Sequence, residues 1–225
     1  MTDWSPPPGR RQRFGLLLSA IIIAFAVQGI ASPNEWQAIL ISALLGVTLL
    51  LALWAADAKP VFVRPVVVIG VGLVILSTAE AISGNPRGGA IHVANALLVV
   101  LAPPAIVIGV VRNLRARQTV TLEAVLGVLS VYILLGMFFA FLFGSIDRLG
   151  GNPFFAGGQP ATVAQCLYFS FTTLTTVGYG DLTARTNLGH TLSVSEALLG
   201  QIYLVTVVSL IVANLGRSRP VSRSQ

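Results

Sequence analysis

Apolar and polar positions fall in long blocks along this chain, without the spacing of an amphipathic helix or a half-buried strand. Six apolar runs stand out, Phe14–Ile30, Trp36–Ala56, Pro65–Ile82, Gly89–Val111, Val120–Ile146 and Leu192–Leu215. Several approach or exceed the roughly 20 residues that cross a hydrocarbon core as a helix. Short polar breaks separate the first four. Asn34 and Glu35 lead into the second run, Asp57-Ala58-Lys59-Pro60 closes it, and Ser83-Gly84-Asn85-Pro86 breaks the chain after the third. Loops this short favour antiparallel neighbours in a bundle. Trp36 and Trp54 fall near opposite ends of the second run, where interfacial anchors belong. The pattern predicts an all-α membrane protein with six transmembrane helices.

Between the fifth and sixth runs the chain changes character. Gly150-Gly151-Asn152-Pro153 and Gly157-Gly158-Gln159-Pro160 mark a loop. Pro160 suits the first turn of a helix that runs to about Thr175. At roughly 15 residues that helix is too short to span and is flanked by polar turns, so it is expected to re-enter. The polar segment Thr175–Asp181 follows it. Backbone at membrane depth outside a helix must be satisfied within protein or around a water-filled path.

Composition and charge fix the class and the orientation. The chain has 225 residues, 55% of them apolar and only 10% charged. With both termini cytoplasmic, eleven basic residues lie inside: Arg10, Arg11, Arg13, Lys59, Arg64, Arg112, Arg115, Arg117, Arg217, Arg219 and Arg223. Only Arg87, Arg148 and Arg185 lie outside, a strong positive-inside bias. The net charge of +6 then reflects orientation and contact with anionic cytoplasmic lipid rather than nucleic acid. Arginine far outnumbers lysine, and Ala, Val and Leu abound, which points to a GC-rich bacterial genome and hence to a bacterial inner (plasma) membrane. The arginines before the first run imitate a signal peptide. No small-residue cleavage site leads to a soluble domain, so a retained span is expected. The lone Cys166 forms no disulfide within the chain and reads as a buried packing thiol.

The residue types in 175–181 suit cation coordination. A file of carbonyls facing one axis needs backbone conformations of alternating handedness, and Gly178 and Gly180 take positive φ without a Cβ clash. Carbonyls so arranged can replace the hydration shell of a potassium ion.

Thr172-Thr173-Leu174-Thr175-Thr176-Val177-Gly178-Tyr179-Gly180-Asp181 resembles the signature of the tetrameric potassium-channel superfamily. The span–helix–span layout extends the resemblance over about residues 119–215. The resemblance implies a homotetramer and a filter in which Thr176, Val177, Gly178 and Tyr179 offer carbonyls to K⁺. Thr176 adds its hydroxyl, and Gly180 closes the outer mouth. Val177 and Tyr179 turn outward and brace the backbone. The members with two pore-helix tryptophans are matched here by Tyr168 and Phe169, and those with a bracing Glu by Thr172. Filter support is therefore expected from Tyr168, Thr172, Thr175, Asp181 and Glu196, with Tyr168 donating to Asp181 and Glu196 bonding Thr172 or Thr173. Gly200, twenty residues after Gly180, matches the gating hinge, although a glycine there equally permits close helix contact.

The domain reading is a tail over 1–13, a four-helix peripheral bundle over 14–111 and a linker over 112–119. A pore domain over 120–215 and a short basic tail over 216–225 complete it. Six spans also resemble the voltage-gated architecture, but Gly89–Val111 carries no arginine to cross the field. Pro103-Pro104 is expected to kink or break that helix. His92 and Asn95 read as an inter-helix hydrogen-bond pair and His190 as a surface residue. No nucleophile–base or metal-ligand set points to an enzyme. The alternatives are a voltage-gated potassium channel with a degenerate sensor and a receptor-like sensor with a silent pore. A regulator acting in trans is compatible with each.

Overall fold

The computed structural model describes residues 9–30, 35–58, 60–83, 89–117 and 121–215. The Pro6-Pro7-Pro8 break, the Gly84-Asn85-Pro86 turn, the linker at 118–120 and the basic tail 216–225 lie outside the described residues. Seven helices follow in order: α1 Gly9–Ile30, α2 Glu35–Ala55, α3 Pro60–Ile82, α4 Gly89–Arg117, α5 Leu122–Leu149, α6 Val163–Leu174 and α7 Asn187–Leu215. Among the described residues, α1 to α5 are each long and apolar enough to cross a membrane. The sixth apolar run lies in α7, 29 residues long.

The helices extend past their apolar runs. Helix α1 starts at Gly9, so Arg10, Arg11 and Arg13 ride on its first turns instead of belonging to an irregular tail. Arginine is a good helix former, and its long stem lets the charge reach the interface. Helix α4 continues unbroken through Pro103 and Pro104 to Arg117, taking in most of the expected linker. The break expected at that pair does not occur, because packed neighbours within a membrane can compensate for lost backbone bonds.

Helix α3 packs only on α2 and α4, and Val68, Ile69, Val71, Ile75 and Leu76 stand exposed on it. Helix α1 packs on α2, α5 and α6, so it bridges the bundle to the short helix α6. Small residues set these approaches, as expected where no aqueous hydrophobic drive acts between helices. A Cβ on Gly144 of α5 would meet His92 Cδ2 of α4 at 2.3 Å, and one on Gly127 would meet Val110 at 2.6 Å. Asn95 of α4 accepts from Ser42 Oγ of α2 at 2.9 Å. His92 and Asn95 thus serve different helices, Asn95 facing α2 and His92 facing α5.

Replacing Gly144 with Leu drives a side chain into His92 and should cost about 1–3 kcal/mol or more by overpacking. The thermal midpoint of detergent-solubilised protein should fall clearly. Gly72→Leu, at a position with nothing within 4 Å, should leave it close to wild type.

Candidate functional site

The site begins at Thr162, whose hydroxyl accepts from Gln165 N at 3.1 Å while Thr162 N donates to Gln165 Oε1 at 2.9 Å. This capping box starts α6 at Val163, three residues beyond Pro160, which therefore precedes the cap rather than opening the helix. Twelve residues make α6 about 18 Å long, too short to cross. It ends at Leu174, with Thr175 as its cap donating its hydroxyl to Phe171 O at 2.6 Å.

The next three backbone amides turn back on that end. Thr176 N donates to Thr173 O at 2.9 Å, and Val177 N and Gly178 N donate to Thr172 O at 2.8 and 3.1 Å. These bonds use carbonyls that a helix C-terminus leaves without intrahelical partners. They also commit the N–H groups of 176–178 to one side of the segment. Positive φ occurs at Thr176 (58°), Gly178 (51°) and Gly180 (81°), with the intervening residues at negative φ. Backbone handedness therefore alternates from 176 to 180. The segment follows directly on the C-terminal, negative end of the α6 dipole. Glycine takes this conformation readily, whereas a β-branched residue at positive φ is an outlier, so Thr176 is the unexpected member.

The supporting residues divide between backbone and side chain. Tyr168 stacks on Tyr179 with ring centroids 6.2 Å apart and 6° between planes. Phe169 is buried and packs edge-on to Phe143, Phe154 and Phe155. Thr172 braces the segment through its carbonyl, while its hydroxyl turns back to Phe169 O at 3.0 Å. That hydroxyl is therefore not the partner of Glu196. The fully buried Glu196 instead meets Ser170, whose Oγ also lies 2.7 Å from Gly136 O. A serine hydroxyl has one hydrogen for these two acceptors. Ser170 Oγ therefore shares its hydrogen between Glu196 Oε1 and Gly136 O. The arrangement ties α7, α6 and α5 at one point.

Gly200 lies where α7 crosses the end of α6. A Cβ there would stand 2.6 Å from Leu174 O and 2.7 Å from Leu174 Cδ1, and α7 is helical through the position. The close approach therefore calls for glycine at this position. Tyr132 of α5 donates to the same Leu174 carbonyl at 3.4 Å, and Tyr203 of α7 donates to Val128 O at 2.6 Å.

Asp147 was not singled out in the sequence, because it sits among polar loop-edge residues with no distinctive neighbours. It is buried, and its two oxygens accept from Phe154 N at 2.8 Å and Ala161 N at 3.1 Å. Arg148 donates to Ala161 O at 2.9 Å. The loop is further tied beyond the Thr175–Asp181 segment by Ala156 N to Thr183 O at 3.0 Å and Arg185 N to Phe154 O at 2.8 Å. His190 is exposed, with Nε2 at 2.7 Å from Ala184 O. Among the described residues no group of three or more His, Cys, Asp or Glu is placed to hold a metal.

Residues 127–217, from within α5 through the Thr175–Asp181 segment and α7, match the model of a family described as ion channel. The matched stretch is thus similar to an ion-channel pore domain. Together with five helices able to span, it supports a multi-pass membrane ion channel. No curated protein matches the chain.

Asp147→Ala would strand two buried amides at about 1–3 kcal/mol each. The expected result is a lower thermal midpoint and faster proteolysis within residues 150–162. Asp147→Asn, which keeps one carbonyl acceptor, should lose roughly half as much.

Proposed function

We propose that the chain forms a homotetrameric, potassium-selective channel. K⁺ would pass down its gradient through the carbonyls of Thr176, Val177, Gly178 and Tyr179 and the Thr176 hydroxyl, with Gly180 at the outer mouth. The alternating handedness over 176–180, with its amides bound back to Thr172 and Thr173, carries the reading. The ion-channel match over the same region supports it.

In the single chain Val177 is 52% exposed and Tyr179 71% exposed, although both belong to a segment flanked by apolar helices. Neighbouring copies would cover these side chains, and a closed ring of four follows from one filter segment per chain. Six spans with both termini cytoplasmic in a bacterial inner membrane complete the proposal, with anionic lipid at the basic face.

Conventional voltage sensing is absent from this reading. Arg112 donates to Ala56 O at 3.2 Å and Asp57 O at 3.3 Å, and Arg13 pairs with Asp57 at 2.8 Å. Arg13, Asp57 and Arg112 at these ends of α1, α2 and α4 are thus clasped together, and no arginine lies within Gly89–Val111. Gating would then come through lipid, a regulator in trans or the filter itself.

Purified protein in liposomes should pass K⁺ in preference to Na⁺ and be blocked by Ba²⁺. Gly178→Ala, forced to positive φ, should lower K⁺ flux at least about tenfold, the effect of roughly 1.4 kcal/mol on the conducting state. Voltage steps across a bilayer should produce no steep activation. Absence of flux from intact tetramers would favour a receptor with a silent pore, and steep activation would favour a voltage-gated channel.

A further inference from the structure

The contact that Gly200 allows carries the next residue, Gln201, to the inner end of the filter segment. Gln201 Nε2 comes within 3.4 Å of Thr176 Oγ1. Both residues are exposed in the single chain, so neither is sealed in the packing behind the filter.

Three further observations give this contact weight. Gln201 is the only amide side chain in the stretch Ala197-Leu198-Leu199-Gly200-Gln201-Ile202-Tyr203-Leu204-Val205. A polar side chain within a membrane helix faces the bundle interior or a water-filled cavity, since lipid cannot satisfy its donors. Gly200 fixes the depth of α7, because any Cβ there would strike Leu174 O. Thr176 is held at φ 58°, which a β-branched residue keeps only where its surroundings dictate it.

A threonine oxygen has one hydrogen to give and two lone pairs. An amide donating onto one lone pair restricts the hydroxyl rotor and leaves the other lone pair in a set direction. We infer that Gln201 is a positioning residue for Thr176. It orients the hydroxyl that an alkali or alkaline-earth cation of potassium size meets on entering from the cavity side. The complete site needs neighbouring copies, since one chain supplies one hydroxyl and one amide. The inference rests on the proposed potassium conduction and deepens it at one position.

Barium, which has nearly the radius of potassium, probes that position. Block by Ba²⁺ added from each side of a bilayer is compared for wild type, Gln201→Met, Thr176→Ala and the double variant. Methionine keeps the length of the side chain and removes its donor. Cavity-side block should weaken about fivefold in Gln201→Met, the scale of one lost hydrogen bond, while block from the opposite side stays unchanged. On the Thr176→Ala background the same substitution should have no further effect, because coupled residues are not additive. Unchanged cavity-side block in Gln201→Met tetramers overturns the inference, as does an equal fivefold loss on the Thr176→Ala background. If Gln201→Met does not assemble, Gln201→Asn keeps the amide but is one methylene short of Thr176, and should show the same loss. Wild-type tetramers that pass no K⁺ and bind no Ba²⁺ by calorimetry overturn the proposed function and this inference together. Wild-type block with no Gln201 effect overturns only the inference.

Discussion

Everything in this fold depends on one exchange of hydrogen bonds at the end of α6. A helix that stops inside a membrane leaves carbonyls without partners, and an extended segment beside it leaves amides without partners. Thr172 and Thr173 supply the first and Thr176, Val177 and Gly178 the second. Each deficit removes the other. The carbonyls of the segment are then left without backbone partners on that side, which is the state in which they can serve a desolvated cation.

That exchange works only if α6 is held in place, and the structure holds it at several points of different chemistry. Asp147 fixes the loop before it through two amides, and the Thr162 box fixes its first turn. The Ser170–Glu196 contact joins it to α7, and Ser170 joins it to the Gly136 carbonyl of α5. At its end, α7 comes close because Gly200 has no side chain. An acid in a span is costly unless neutral or partnered. Its retention at a three-helix junction, rather than on a lipid face, is therefore consistent with support of α6.

The sequence was most legible where chemistry is local and least where it depends on which helix faces which. Block hydrophobicity marked every long helix, and Gly178 and Gly180 stood at the positions found with positive φ. Thr176 did not announce its own positive φ, since its type argues against it. Glu196 was legible as a buried acid, but its partner was not. Choosing Ser170 over Thr172 or Thr173 required knowing that Thr172 turns its hydroxyl to its own helix. Pro103 and Pro104 misled because a helix-breaking rule drawn from water is relaxed among packed membrane helices. Asp147 was invisible for a related reason, because its two acceptor bonds reach seven and fourteen residues along the chain.

The route from the peripheral bundle to the site also differs from what a charged fourth helix would impose. Helix α1 is the bundle element that touches α6, with Phe25 edge-on to Phe171 at 4.9 Å and Gly29 opposite Leu167. Its other end is anchored by Arg13, which pairs with Asp57 and lies over the Trp54 ring at 4.4 Å. One helix thus joins the Arg13–Asp57 pair to α6. The Arg13–Asp57–Arg112 clasp at one end of α1 is thereby linked through packed rings to α6 at the other, and no arginine lies within Gly89–Val111.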